Sequence, residues 1–502
     1  MSRRPASAAI IPKPLRRLVC TALCALAAVG AAAAPAPDPA AAGPSRDDLR
    51  WLARLTYGVD GATLERFQRL GKAAFLEEQL AATDTTLPPT VQARIDRLPI
   101  AHTSIETLLA DLAAHRREIQ AQDDATAKLA ARRELRRDGV EQVRATMQRE
   151  LLRAVYSPAQ LQEQMVWFWL NHFSVFARKG PEPWLLADYL ERAIRPHALG
   201  RFRDLVLATL THPAMLVYLD NARNAVGHVN ENYARELMEL HTLGVDAGYT
   251  QRDVQELARI LTGVGVALPG TARRGARTIG DGAFVFQPAR HDYGDKVLLG
   301  HTIRGRGFAE VEQAVDLLVR QPACARFVSR RLAQYFVGDE PPPALIEAMA
   351  ATFRQSDGDI RAVLRTLFTA PEFTASLGGK FKDPMHYVVS ALRLEADGGA
   401  AVPIDAALRW LNELGEPWFG HPTPDGYPLG ERDWASSGQL AARFTVARAI
   451  ARSVDPEALA GSTYARVLRP YLSPTTRAAL DAAASPQERT TLLLASPEFN
   501  YR

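Results

Sequence analysis

Apolar residues recur at every third or fourth position through most of the chain, and this spacing predicts helices. Between Asp47 and Leu80 the apolar positions follow it, with Gly58 and Gly61 marking a break between two helices. Such spacing gathers apolar side chains on one helix face, which then packs against the rest of the protein. The same spacing returns over 230–263, 308–338, 343–355, 357–369 and 383–396. We therefore predict an all-α fold, built as a large multi-helix assembly.

Two kinds of segment depart from this amphipathic pattern. Residues Leu161 to Phe176 are apolar on nearly every side after the first turn, which predicts a buried central helix. Gly282–Phe286 and Val297–Leu299 are the best strand candidates, and the turn residues between them predict a small β-hairpin near 282–300. So few strands argue against Rossmann, TIM-barrel and hydrolase folds, in which strands alternate regularly with helices.

The N-terminus has the three parts of a secretory signal peptide. A basic region without acidic residues precedes an apolar, Ala-rich run from Leu18 to about Ala34, with small residues near its end. The run is short and Ala-rich for a membrane span, so we expect cleavage rather than an anchor. We predict a signal peptide over 1–34, a Pro/Ala-rich linker over 35–46, and a periplasmic or secreted mature protein. The residues beside the arginine pair before the apolar run fit a twin-arginine signal poorly, which favours the general secretory route.

Removing the leader changes the charge of the chain. Its five basic residues leave with it, so the formal net charge falls from +4 to −1. This removes any overall electrostatic argument for nucleic-acid binding. Arginine pairs at 116–117, 132–133 and 136–137 could meet an anionic partner, but the acidic residues interleaved with them favour a solvated helix face. No later run is long and uncharged enough to span a membrane, so we expect a soluble body.

The remaining chain shows no internal repeat and no low-complexity segment. We predict one large helical domain over 47–455 and a C-terminal helical tail, 456–502, packed on it. Cys324 is the one cysteine left after the leader, so we expect neither an internal disulfide nor a cysteine-rich metal site.

The most unusual segment is 228–244, where charges repeat along a predicted helix. Asn230 is placed to cap the helix N-terminus. Arg235 lies four residues from both Glu231 and Glu239, so it can pair with either carboxylate on one helix face. Composition alone is also typical of a solvated helix laced with charges.

The same helix carries the ligand types of a metal site. Glu236, Glu239 and His241 could bind a metal on a helical bundle, but they lack the Glu-x-x-His spacing that places both ligands on one face. Three interpretations stay open for this segment: a solvated helix, a buried structural Glu/Arg/Asn network, and a metal or acid/base site.

Two polar segments follow. The next helix begins at a capping box of Thr250 and Asp253, which leaves Glu256 available to face the preceding helix. His291-Asp292 lies in a polar turn and is a reasonable ligand or acid/base pair, although a loop histidine is often merely solvent-exposed.

Asn171-His172, near the end of the aromatic helix, is a third candidate. The alternative is a buried histidine that is hydrogen-bonded to the backbone. The chain has no Gly-x-Ser-x-Gly elbow, Walker loop, His-Glu-x-x-His helix or Ser-x-x-Lys motif, which argues against the familiar serine hydrolases, P-loop enzymes and zincins.

Long motifs in a fixed order connect the chain to a known family. These are Phe168–Phe173, Leu219–Asn221, Asn230–Gly244, Tyr249–Gly263, His291-Asp292 with Lys296, and Pro422–Tyr427. From about Leu52 to beyond residue 450, the chain resembles the bacterial family called domain of unknown function 1800. The resemblance implies export and, often, a neighbouring gene for an exported protein of another family, domain of unknown function 1501. It supplies no established catalytic residues, but it adds weight to the motif positions.

Two hypotheses follow, and the first is a periplasmic or secreted enzyme, with a divalent metal as a cofactor that its cluster could hold. Its candidate catalytic residues are Glu231, Glu236, His241, His291 and Asp292. The supporting residues are Asn171, His172, Asn230, Arg235, Glu239, Glu256 and Lys296, and the candidate metal ligands are Glu236, Glu239, His241 and His291. The carboxylates and imidazoles would bind the metal or exchange protons.

The second hypothesis is a non-catalytic binding or assembly protein that acts with another exported protein. Its polar motifs would form a buried network that fixes the packing of the helices. Geometry separates the two: an enzyme needs several of these side chains to converge at an open cleft, whereas a structural network needs them buried and paired.

Overall fold

Helices make up most of the chain, as the spacing of its apolar residues predicts. A computed structural model describes residues 43–267, 283–397, 401–453, 455 and 461–502. The expected class, mainly α with little β structure, is confirmed. Residues Pro44–Arg502 form one compact unit. The predicted signal peptide lies outside the described residues.

The helices of the first half lead up to the first strand. They are α1 (Arg46–Leu55), α2 (Gly61–Ala81), α3 (Pro89–Ile95), α4 (Ile105–Ala121), α5 (Ala125–Tyr156), α6 (Gln160–His172), α7 (Leu186–Asp188), α8 (Phe202–Leu210), α9 (Pro213–Tyr218), α10 (Asn232–Glu236) and α11 (Gln251–Ile260). Two π-helical turns, Tyr189–Ile194 and Leu237–Thr242, continue α7 and α10.

The helices of the second half follow the last strand. They are α12 (Ala309–Val319), α13 (Pro322–Phe336), α14 (Pro343–Gln355), α15 (Ile360–Thr369), α16 (Pro371–Ala375), α17 (Pro384–Asp397), α18 (Ile404–Glu413), α19 (Glu431–Trp434), α20 (Ser437–Ser453), α21 (Thr463–Leu468), α22 (Pro474–Asp481), α23 (Pro486–Ala495) and α24 (Pro497–Asn500). Single 3₁₀ turns lie at Pro99–Ala101, Glu182–Trp184, Arg195–His197, Asn221–Arg223, Pro288–Arg290 and Arg469–Tyr471.

Side-chain caps fix where several helices begin. Thr250 Oγ1 accepts the backbone N–H of Asp253, whose carboxylate accepts the N–H of Thr250, so the predicted capping box of α11 is confirmed. Ser45 and Asp48 form the same reciprocal arrangement at α1. Each such cap satisfies backbone donors that the first helical turn leaves free.

A small β-hairpin and strands at both predicted segments are confirmed, but each predicted strand pairs with a neighbour that the sequence did not indicate. β1 (Val264–Val266) pairs antiparallel with β2 (Phe284–Phe286), and β3 (Lys296–Leu298) pairs with β4 (His301–Ile303). The two predicted strands therefore belong to separate two-stranded sheets, and the small hairpin is formed by β3 with β4. The reason is the turn Leu299-Gly300, whose two positive φ angles reverse the chain at once and return β4 onto β3.

The aromatic helix α6 is the centre of the core. All but one of its residues are buried, including Trp167, Phe168 and Trp169. It packs against α2, α5 and the π turn Tyr189–Ile194. The prediction of a helix buried on nearly every side is thus confirmed for this segment.

The last described residues also reach this core. Arg502 is 2% exposed, and its guanidinium donates to Gln164 Oε1 at 2.9 Å and to the carbonyl oxygen of Tyr335 at 2.8 Å. A backbone bridge joins Phe381 to Tyr501. In the described ranges, no helix combines the length and the hydropathy that a membrane crossing needs.

Candidate functional site

The charged helix divides into two faces, one solvated and one buried. Arg235 pairs with Glu231 at 3.4 Å and with Glu239 at 3.2 Å, and all three side chains are partly exposed. Each pair spans four residues, as the sequence predicts. Partly exposed pairs of this kind contribute little to stability.

The start and the end of this helix differ from the prediction. The N-cap position is Glu231, which makes no side-chain cap hydrogen bond, whereas Asn230 lies one residue earlier and its Oδ1 accepts the N–H of Asn232 at 2.9 Å. The α-helix runs only over α10. The chain then widens into the π turn Leu237–Thr242, in which Thr242 Oγ1 donates to the carbonyl of Leu237 at 2.6 Å. Periodicity predicts one uninterrupted helix because it does not register such a widening.

The opposite face of the helix holds His241 in an aromatic pocket. His241 is 0% exposed, and neither ring nitrogen has a hydrogen-bond partner among the residues that the structure describes. Its ring lies 4.9 Å from that of Phe173 and 6.0 Å from that of His172, centroid to centroid. Burial lowers the pKa of His241 to about 3, so the imidazole is neutral at ordinary pH.

His172 is also buried, as in the structural interpretation of that residue. Its Nε2 donates to the backbone carbonyl of His241 at 3.0 Å. Burial, followed by the charge of Arg331, lowers the pKa of His172 well below its usual value. Both histidines therefore join the packing of α6 against the π turn.

His291 belongs to a buried charged group with Lys296 and Glu310. All three side chains are 0% exposed. His291 Nε2 lies 2.9 Å from Glu310 Oε1, and Lys296 Nζ lies 2.5 Å from Glu310 Oε2. The other ring nitrogen of His291 donates to the carbonyl of Thr262 at 2.8 Å. We call His291, Lys296 and Glu310 the buried triad.

Backbone groups complete the buried triad. Glu310 Oε1 also accepts the N–H groups of Arg306 and Gly307. Burial opposes ionisation of Glu310, but hydrogen bonds from Lys296 and His291 outweigh it and lower the pKa of this carboxyl. Removing one partner from such a buried group leaves an uncompensated charge, which costs about 3–5 kcal/mol.

Asp292 points away from the triad and is held by an arginine of α11. Arg259 donates to both of its carboxylate oxygens, at 2.8 and 3.2 Å, and also binds Glu256 at 2.8 Å. This hydrogen bonding from Arg259 lowers the pKa of Asp292. The supporting residue Glu256 thus serves the same bridge between α11 and the loop before β3.

Asn171 holds a loop from the distant end of the chain. Its Nδ2 donates to the carbonyl of Tyr427 at 2.9 Å, and its Oδ1 accepts the N–H of Tyr427 at 2.6 Å. Tyr218 adds a hydrogen bond to the carbonyl of Pro422 at 2.9 Å. Three of the motifs, around Asn171, Leu219 and Pro422, therefore meet in space.

The predicted metal ligands do not come together. Within the described ranges, no three side chains from His, Cys, Asp and Glu are placed to hold a metal ion. His241 faces the core and His291 lies in the buried triad, whereas Glu236 and Glu239 are partly exposed. The structure buries His241 and leaves Glu236 and Glu239 partly exposed on the same helix, so it does not bring these three together with His291. Their role as metal ligands stays a prediction.

Glu236 lies in an environment that favours the neutral form of its carboxyl. Burial, then repulsion from Glu239, raises the pKa of Glu236, and Asp425 adds to the effect. A half-buried carboxyl of this kind can hold and release a proton.

Sequence reasoning missed Glu310 and Thr262. Thr262 lies in a motif segment, but no pattern marks its side chain as a partner of His291. Glu310 lies in the first turn of α12, 19 residues beyond His291, and three residues after Gly307. An acidic residue at a helix start normally indicates only a cap, so the sequence carries no signal for the triad.

Comparison with known proteins gives one match. A family model described as "Protein of unknown function (DUF1800)" matches residues 50–501. No curated protein and no solved structure matches the chain.

Proposed function

The chain belongs to the DUF1800 family of proteins of unknown function, and from its geometry we propose that it is an exported, non-catalytic binding or assembly protein. The observation that carries this proposal is the pairing of its motif side chains. His291, Lys296 and Asp292 are bound to protein partners in the core or at its edge. The side-chain amide of Asn171 is likewise hydrogen-bonded to the backbone N–H and carbonyl of Tyr427.

Such networks support a scaffold role because satisfied buried polar groups fix a unique packing of helices. Each one joins segments that are far apart in the chain: α11 with the loop before β3, and α6 with the loop that contains Tyr427. A scaffold of this kind presents its binding surface elsewhere, on residues that the networks leave free.

The predicted leader supports export to the periplasm or beyond, by the general secretory route. The partner in this proposal is another exported protein. The family resemblance supplies a candidate, an exported protein of the domain of unknown function 1501 family.

The metal-dependent enzyme remains a second candidate because of Glu236. Its raised pKa suits a general acid, and Asp425 and Glu239 lie close enough to influence it. The wide separation of the other predicted groups gives this candidate less support than the scaffold.

Native mass spectrometry of the mature chain, purified from its own periplasm or medium, tests the proposal. The chain is purified by an affinity tag, and we expect a defined complex with one other exported protein. As a control, an unrelated exported protein that carries the same tag should not recover this partner. A chain recovered only by itself, even after gentle cross-linking, contradicts the proposed function.

A further inference from the structure

A long groove runs between α5 and α18, away from the motif residues. Its volume is ≈ 1270 Å³, which exceeds the ~300–1,000 Å³ that is usual for a small-molecule pocket. Its lining residues come mainly from α5 and α18, together with the segments around Trp184 and Trp418. The groove lies open along the surface.

The groove is basic although the chain without its leader is nearly neutral. Six arginines line it, from α4, α5, α18 and the loop after α6: Arg116, Arg132, Arg136, Arg144, Arg178 and Arg409. Asp405 and Glu413 are the carboxylates in its lining.

Most of these arginines have no charge partner of their own. Arg144 pairs with Asp405 at 3.0 Å and with Glu141 at 3.7 Å. In the part of the chain that the structure describes, the other five arginines form no ion pair. Burial without a counter-charge lowers the pKa of Arg116. An anionic partner would supply the missing charges.

The groove also offers apolar contacts. Val140 is 59% exposed, and Val143 and Met147 follow it at helical spacing on the same face of α5. Trp418 lines the groove, and its indole Nε1 is buried without a hydrogen-bond partner in the described residues. Exposed apolar residues beside arginines are typical of a recognition site.

We propose that this groove binds an acidic amphipathic helix of a partner protein. From Arg132 to Met147 the lining of α5 extends about 22 Å, the length of a helix of about 15 residues. Apolar residues of that helix would pack on Val140, Met147 and Trp418, and its carboxylates would pair with the arginines. The open shape suits a helix better than a lipid chain, which needs an enclosed cavity.

The inference rests on the proposed function, since it takes the occupant to be a protein. Its test uses a fluorescein-labelled helical peptide of about 16 residues, with Leu at every third or fourth position and Glu elsewhere. A matched peptide carries Lys in place of Glu. Fluorescence anisotropy with the full mature chain measures the dissociation constant of each.

Charge reversal on one face of α5 locates the site. The double variant R132E/R136E places two acids in the groove, whereas R133E/R137E makes the same change on the neighbouring residues, outside the groove lining. All four side chains are exposed, so both variants should fold. We expect the first variant to weaken binding of the acidic peptide at least about tenfold and the second less than about threefold. Binding should also weaken as salt rises.

Three results would overturn the inference: equal losses in both variants, equal binding of the Lys peptide, or binding only to phosphatidylglycerol vesicles. The native complex separates this failure from that of the proposed function. If the native complex persists in R132E/R136E, the groove is not the binding site, but the proposed function still holds. If the acidic peptide binds but no native partner is found, the result supports the groove as a binding site and contradicts the proposed function.

Discussion

Glu395 is a carboxylic acid that the fold keeps away from water. Its side chain in α17 is 2% exposed, and Oε2 has no hydrogen-bond partner among the described residues. Burial raises the pKa of Glu395 to about 8 from an ordinary value of 4.5. Between these two pKa values, the Glu395 carboxyl is therefore protonated in the folded chain and ionised in the unfolded chain.

From this shift we expect the free energy of unfolding to fall as pH rises from about 5 to about 8. Below that window Glu395 is protonated in both states, and above it the carboxyl is ionised in both, so the contribution changes only between them. Glu395→Gln removes the titrating group, so the variant should lose less stability than the wild type across this window. Urea unfolding at several pH values measures both curves.

The control for this comparison is Glu413→Gln, an exposed carboxylate on α18. Its curve should follow the wild type. Burial also raises the pKa of Glu416, which both variants retain. Part of the fall in unfolding free energy with pH should therefore remain in both variants. Parallel curves for Glu395→Gln and the wild type would show that Glu395 is not held protonated.

For single residues, the sequence could predict which positions matter but not which partners they bind. The motif marks His291, Asp292 and Lys296 as positions of interest, and all three lie in charged networks. Their partners Glu310 and Arg259 lie 19 and 33 residues from the groups they bind, and only the folded chain brings them near. Pairing between such distant residues is set by tertiary structure, which local patterns do not encode.

The loop that contains Gly426 packs tightly against Asn171 of α6. Gly426 has φ +71°, and a Cβ atom there would overlap the backbone and side-chain oxygens of Asn171. We expect Gly426→Ala to destabilise the chain by about 2–4 kcal/mol, from the left-handed backbone together with steric overlap. Equilibrium unfolding in urea gives the value.

Gly227→Ala is the matched control for this element. Gly227 has φ +80°, but nothing lies within 4 Å of a Cβ atom at that position. Its cost should be about 1–2 kcal/mol, the price of the backbone conformation alone. If both variants lose the same free energy of unfolding, the loop can move away from Asn171 at no energetic cost, and the predicted steric overlap at Gly426 is contradicted.

Most elements could be predicted, but their connections could not. The aromatic run predicts the buried helix α6, and Thr250 with Asp253 predicts the start of α11. The pairing of β2 with β1 was missed because a three-residue strand such as Val264–Val266 leaves too short a pattern. The π turn that buries His241 was missed for a similar reason, since it preserves the apolar spacing of an α-helix.

For the whole molecule, the sequence predicts the helical class and identifies the family, but it does not predict the surfaces. The arginine pairs of α5 predict a solvated face. In the structure, Arg132 and Arg136 line the groove, whereas Arg137 pairs with Glu134 at 3.4 Å on an exposed surface. The other wall of the groove comes from residues near 405–420, more than 250 positions later, so helical periodicity alone could not reveal it.

We propose that the motif side chains fix the packing of the helices instead of forming a metal-dependent active site. The most direct test is the metal content of the mature protein, purified from its native compartment, beside Glu236→Gln and His291→Ala. We expect no stoichiometric metal in any of the three proteins, and a lower free energy of unfolding for His291→Ala. About one ion per chain in the wild type, absent from variants that remain folded, would contradict this proposal.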